Sequence, residues 1–378
     1  MKKIILLILV TALCISLLAV PAAAAQSLDT LVEEGARGLS AMNGREGKLL
    51  AGGEDFPAGA SSSCDWAAMA LAISGTPEQY GKYLAALEDY VEAAYAANGG
   101  LERVKSTTYH RIALTVLALG GDPTAFGQKS DGTPIDLIAD GTYAFAGESV
   151  GQQGLNGWIY ALIALDASGV TPPADARFTR EDMIAAILTA QESDGGFGLI
   201  GGNSSVDITA MALQALAPYA QQYPVEIEAA VNYLAAGMSE GCVFSSFGDV
   251  SAESSAQVIL ALCALGIDPE QDARFTQNGL TLLSGVERFR QSDGSFSHLA
   301  GDTAGDLLAS AQMLLALKAL QDLRSGEGWI FDFSDYEAPA TSGDNVIWIA
   351  AAAAAAAAAV IIIVIITGKR KNHGKTDR

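Results

Sequence analysis

The side chains that could do chemistry are few and scattered. The chain has three histidines, His110, His298 and His373, and four cysteines, Cys14, Cys64, Cys242 and Cys263. A zinc site needs three or four Cys, His or carboxylate ligands converging on one point. Cys64 and Asp65 are neighbours, but His110 and His298 lie in distant parts of the chain. This pattern predicts no metal site and no resident cofactor. The 43 acids make carboxylate pairs inevitable, so sequence cannot choose an acid–base pair such as a glycosidase needs. Asp207, Asp302 and Asp306 precede apolar segments and read as the N-caps of inner helices. Neither a phosphate-binding G-x-x-x-x-G-K-[ST] loop nor a metalloprotease H-E-x-x-H occurs. What remains is a set of polar and aromatic residues at the starts of apolar segments. These are Asp65, Trp66, Tyr109, His110, Arg111, Asn156, Trp158, Asp207 and Glu253.

The elements that must position them repeat along the chain. Six alanine-rich segments end at Ile73, Leu119, Leu165, Leu216, Leu265 and Leu320, at intervals of 46, 46, 51, 49 and 55 residues. The last two align closely, Ser255-Ala256-Gln257 against Ser310-Ala311-Gln312. Each is apolar nearly all round, which predicts a helix buried on most sides. A second helical stretch with a polar face precedes each: Leu28–Met42, Pro77–Ala96, a weaker one at Pro134–Phe145, Thr179–Gln191, Glu226–Met238 and Thr276–Arg290. Glu78, Lys82, Glu88, Asp89 and Glu92 mark the wet face of the second. Six outer helices alternating with six inner ones predict an all-α fold, a closed α6/α6 toroid, with an open solenoid as the alternative. The starts of the inner helices then gather at one mouth, where their partial positive charge also gathers. That mouth is the expected ligand site, formed by the nine residues above.

Gln191-Glu192-Ser193-Asp194-Gly195-Gly196-Phe197 and Arg290-Gln291-Ser292-Asp293-Gly294-Ser295-Phe296 lie between outer and inner helices. Asp and Gly permit tight turns, and the Phe returns to the core. A Q-x-x-D-G-G-F turn before an A-x-A-L-x-A-L helix resembles the repeat of protein prenyltransferases and squalene–hopene cyclases. The stretches Gln153–Leu162, Met211–Tyr219 and Ala256–Pro269 are similar to secreted bacterial toroid proteins of that clan, related to cobalamin-binding intrinsic factor. The resemblance covers about residues 28–325 and implies the toroid; this fold hosts enzymes and binders alike. It also brings in a corrinoid as a candidate ligand, with a short acidic linker expected over 331–345 where those relatives carry a β domain. The prenyltransferase zinc triad and the cyclase D-x-D-D acid run find no match. The resemblance therefore implies a binder of a small molecule or a surface protein, with a prenyltransferase- or terpene-cyclase-like enzyme as the alternative.

Composition and the two ends set the expected location. The chain has 378 residues, half of them hydrophobic, and a formal charge of −21, which disfavours nucleic acid as a partner. Lys2-Lys3, an apolar run and Ala22–Ala25 predict a signal peptide over 1–25, with the toroid over 26–330 and an acidic linker over 331–345. Residues 346–367 form an uncharged stretch of about 33 Å as a helix, enough for a hydrocarbon core of roughly 30 Å. Lys369, Arg370 and Lys371 follow it. This predicts one transmembrane helix in the cytoplasmic membrane, the toroid outside and a tail at 368–378 inside.

Overall fold

The computed structural model describes residues 27–51, 53–246 and 248–340. Among them are twelve α-helices. The alanine-rich segments form α2 (Ser62–Ile73), α4 (Thr107–Ala118), α6 (Leu155–Ala167), α8 (Val206–Leu216), α10 (Ala252–Ala264) and α12 (Leu307–Ser325). Between them come α1 (Leu28–Ser40), α3 (Tyr80–Asn98), α5 (Leu137–Gly141), α7 (Arg180–Thr189), α9 (Pro224–Ala236) and α11 (Leu282–Val286). Each even-numbered helix packs on the next, and α12 returns to pack on α2. The inner ring is therefore closed. The odd-numbered helices lie outside it, α1 against α12 and α2, and α7 against α6.

Small side chains make the inner ring. Ala161, Ala164, Ala210, Ala212, Ala256, Ala261, Ala311 and Ala316 are fully buried, so neighbouring helices approach closely. From Ala252 to Cys263 of α10, only Glu253 is not buried. Four of the six inner helices start at hydroxyl or acid caps: Ser61, Ser205, Ser251 and Asp306 accept from first-turn N–H groups. Asp207, read from sequence as a cap, instead lies one residue inside α8, and Ser205 caps it.

The turns fasten one repeat to the next. In three of them a buried Phe donates its N–H to a hydroxyl on the following inner helix: Phe197 to Thr209 (2.9 Å), Phe244 to Ser255 (3.1 Å) and Phe296 to Ser310 (2.9 Å). Each turn also seats on an outer helix. Gln191 Nε2 donates to Glu226 O of α9 at 2.8 Å. In the last copy Arg290, in place of the Gln, pairs with Glu34 of α1. There the backbones meet so closely that a Cβ on Gly38 would lie 2.3 Å from Ser295 N. This contact joins the last repeat to the first.

Several expectations are corrected. The stretch Thr276–Arg290 is not one helix. Strands β3 (Thr276–Gln277) and β4 (Leu280–Thr281) pair antiparallel around Asn278 and Gly279, both at positive φ, and α11 is short. A second small hairpin pairs β1 (Ser245–Ser246) with β2 (Asp249–Val250). The Pro134–Phe145 stretch holds only the five-residue α5. Glu78 is not on a wet face: it is buried and accepts from Ser40 Oγ (2.7 Å), Leu49 N and Leu50 N. Ile330 and Phe331, at the expected start of a linker, are buried against the ring.

The membrane reading is also corrected. No helix among the described residues is long and apolar enough to cross a membrane. The inner helices other than α12 have 11 to 13 residues, or about 17–20 Å, well short of a bilayer core. The two 19-residue helices carry charges on the way, Lys82, Glu88, Asp89 and Glu92 in α3 and Lys318, Asp322 and Arg324 in α12. The expected signal segment at 1–25, spanning segment at 346–367 and tail at 368–378 lie outside the described residues.

His110 joins α4 to α5. Its ring is buried, with Nε2 2.6 Å from Gly141 O, and burial lowers its pKa to about 4. The imidazole is neutral and donates from Nε2. The unfolded chain takes up a proton near pH 6.5, the folded chain only near pH 4. Stability is thus retained above pH 6.5 and lost as pH falls between these values, by about 3 kcal/mol in all. We expect His110→Gln, whose Nε2 can still reach Gly141 O, to lose less stability than the parent between pH 7 and pH 4.5 in urea melts. Equal losses would show that His110 is not held neutral.

Ring closure gives a second expectation. Gly38 lies within α1, where alanine ordinarily stabilises a helix by about 1 kcal/mol. Here the added Cβ meets the backbone of the last turn. We expect Gly38→Ala to destabilise the protein, by roughly 1–3 kcal/mol as for other overpacking changes. A melting temperature equal to or above the parent's would show that the α1 contact is dispensable.

Candidate functional site

The inner-helix starts gather at one end of the ring around two cavities. The first, about 300 Å³, is bordered by Trp66 of α2, Arg111 of α4, Tyr160 of α6 and Asp207 of α8. The Trp66 and Tyr160 rings, from α2 and α6, meet edge to face with centroids 6.1 Å apart. Lys105, Asn156 and Gln312 complete its polar lining. The second cavity, about 390 Å³, shares Asp207, Met211 and Gln312 and adds Glu253, Gln257 and His298.

Arg111 is held rigidly. Its Nε lies 2.8 Å from Asp65 Oδ2, and its Nη2 donates to Gly59 O at 2.7 Å. Asp65 is fully buried and also accepts from Tyr83 Oη (2.6 Å) and Gly59 N (2.9 Å). Burial pushes the Asp65 carboxyl up; Arg111, Tyr83 and Gly59 pull it back down. Asp65 thus anchors Arg111 from behind and does not line the cavity. Loss of Arg111 would leave a buried carboxylate without its ion pair.

Glu253 and His298 form a second polar pair. His298 Nδ1 lies 2.9 and 2.8 Å from the two Glu253 oxygens. The bond to Glu253 raises the imidazole pKa, and burial raises that of the Glu253 carboxyl. Between the cavities and the ring interior runs a ladder of side-chain amides. Gln214 Nε2 donates to Gln257 Oε1 (2.8 Å), and Gln257 Nε2 to Gln312 Oε1 (3.1 Å).

Of the nine residues expected at the mouth, Trp66, Arg111, Asn156 and Asp207 share the first cavity, and Glu253 lines the second. The other four lie elsewhere. Asp65 is behind Arg111, and His110 is in the core. Tyr109 packs edge-on against Phe145 and accepts from Leu101 N at 2.8 Å. Trp158 packs edge-on against Phe178, centroids 5.5 Å apart. Tyr160 and Trp158 are two positions apart on α6, so they point to different sides of the helix. Sequence reasoning missed Lys105, His298, Gln257 and Gln312 as lining residues. The Ser-Ala-Gln alignment was the available signal for the glutamines: Ser clamps the turn, Ala packs, and Gln faces the axis.

Among the described residues no group of three or more His, Cys, Asp or Glu side chains is placed to hold a metal ion. Cys64, Cys242 and Cys263 are buried free thiols, and burial pushes the Cys64 thiol up, away from the thiolate a metal would need. Gly237-Met238-Ser239-Glu240-Gly241 has the spelling of a hydrolase nucleophile elbow. It leaves α9 for a turn in which Ser239 N donates to Val243 O, so it lacks the strand-to-helix setting of that elbow.

No family model and no curated protein matches the chain. Among solved structures, it is similar to Candida albicans protein geranylgeranyltransferase-I complexed with GGPP. The identity is 12% and the TM-score 0.49, with 81% of this chain and 93% of that one covered.

Proposed function

We propose that the ring binds a small molecule at its mouth, one with an apolar or aromatic body and a polar head. The observation that carries this reading is the first cavity. Trp66 and Tyr160 offer aromatic surface there, while Lys105, Arg111, Asn156 and Asp207 surround it with polar groups. A mostly apolar cleft with a few convergent polar groups is the usual form of a small-ligand site. The fixed Asp65–Arg111 pair means that the site is preorganised, which lowers the cost of binding. Turnover of a prenyl or terpene substrate is the alternative, and no arrangement of side chains at the mouth favours it over binding.

Corrinoids, isoprenoids and cell-wall fragments are the classes to screen by thermal shift. We expect a stabilising ligand to lose its effect in Trp66→Ala, with affinity weakened about tenfold or more. The same ligand should keep its effect in Trp158→Ala, because Trp158 lies against Phe178. A shift that survives Trp66→Ala and Asn156→Ala would move the site away from the mouth. Conversion of the bound compound, detected chromatographically, would favour the enzyme alternative.

A further inference from the structure

The opposite end of the ring carries its own cavity. Past α12 the chain turns back across the C-terminal ends of the inner helices. Ile330 and Phe331 are buried, and the Tyr336 hydroxyl donates to Ala118 O at 3.0 Å. Between this crossing segment and the ends of α6 and α8 lies a space of about 260 Å³. Its apolar walls include Ile163 and Pro218 from the ring and Trp329 and Phe331 from the segment. The two aromatic rings meet edge to face with centroids 5.3 Å apart.

The polar atoms offered to this space are acceptors. Gln214 is 3% exposed, and its Nε2 is committed to Gln257. Its Oε1 therefore remains, a carbonyl oxygen open to the cavity that accepts from no described residue. Asp166 is already matched by Arg180 Nε (2.8 Å) and the Tyr219 hydroxyl (2.8 Å). Asp332 is different. Its Oδ1 accepts from Ser334 N and Oγ, and it pairs with no Lys, Arg or His among the described residues. No cationic side chain lines the cavity. A carboxylate without a counter-ion, a carbonyl oxygen lacking a donor and aromatic faces that attract cations all call for the same ligand chemistry.

We propose that this cavity is a second binding site, for a small primary ammonium compound with a short apolar or aromatic body. The ammonium donates to Gln214 Oε1 and is balanced by Asp332. The body lies against Trp329, Phe331 and Pro218. An alcohol of the same shape lacks the charge, and a carboxylate would be repelled by Asp332. This site does not depend on the mouth cavity.

The test is calorimetry on the full chain at neutral pH with 2-phenylethylamine, 2-phenylethanol and 3-phenylpropionate. We expect saturable binding of the amine at concentrations up to millimolar, with the alcohol at least about tenfold weaker and the carboxylate weaker still. Asp332→Asn keeps an acceptor for Ser334 at an exposed position, so the fold should be unaffected. It should weaken the amine about tenfold and bring amine and alcohol to similar affinities. Gln214→Leu should weaken the amine as well, and Trp66→Ala should leave it unchanged. The proposal is overturned by no amine binding, by equal binding of all three probes, by unchanged affinity in Asp332→Asn, or by a loss in Trp66→Ala.

Discussion

Everything in this molecule depends on the closing of the ring. Six buried helices that are apolar nearly all round cannot end in an open stack without leaving apolar faces to water. Here α12 covers α2, and the Arg290–Phe296 turn seats on α1. That contact needs a glycine at Gly38 and a charge pair between Arg290 and Glu34. The earlier turn uses a neutral Gln191 bond to a backbone carbonyl instead. The closure is thus a variant of the ordinary repeat contact, with a salt bridge replacing an amide bond.

A core built from alanine brings backbones close but leaves little room for error among its polar atoms. Many of the buried polar groups are accordingly held in specific bonds. Thr209, Ser255 and Ser310 receive the Phe N–H groups of three turns, Glu78 gathers the 40–51 loop, and Tyr83 and Arg111 satisfy Asp65. The same rule makes the amide ladder informative. Gln214 donates to Gln257 and Gln257 to Gln312, so the ladder links the two ends of the ring, with Gln257 and Gln312 both lining the second mouth cavity. Gln312 reaches the mouth and Gln214 the opposite end.

The two ends differ for a simple reason of chain direction. One collects helix N-termini, with capping hydroxyls, first-turn acids and the Arg111 and Lys105 side chains. The other collects C-termini and is crossed by the segment from Trp329 to Tyr336. Aromatic surface lies at both ends, Trp66 with Tyr160 from the ring at one and Trp329 with Phe331 from the crossing segment at the other. Cationic side chains line the first mouth cavity, and unmatched acceptors line the cavity at the opposite end.

The sequence by itself determined where the inner helices run, because alanine-rich apolar segments about fifty residues apart have no other stable environment than a shared core. It also marked the turns, through Asp, Gly and the returning Phe. It did not determine which side of an inner helix faces the axis: those segments are apolar all round, so periodicity carries no direction. That is why Trp158 and Tyr160 could not be told apart, and why Asp65 and His110 were grouped with residues that line the mouth. Local signals also competed. Asn278-Gly279 made a hairpin inside a stretch with helical periodicity, and buried Glu78 looked like a surface acid. Only tertiary packing decided these points, since the partner that satisfies a polar group, as Ser40 does for Glu78 or Arg111 for Asp65, lies 38 or more residues away in the chain.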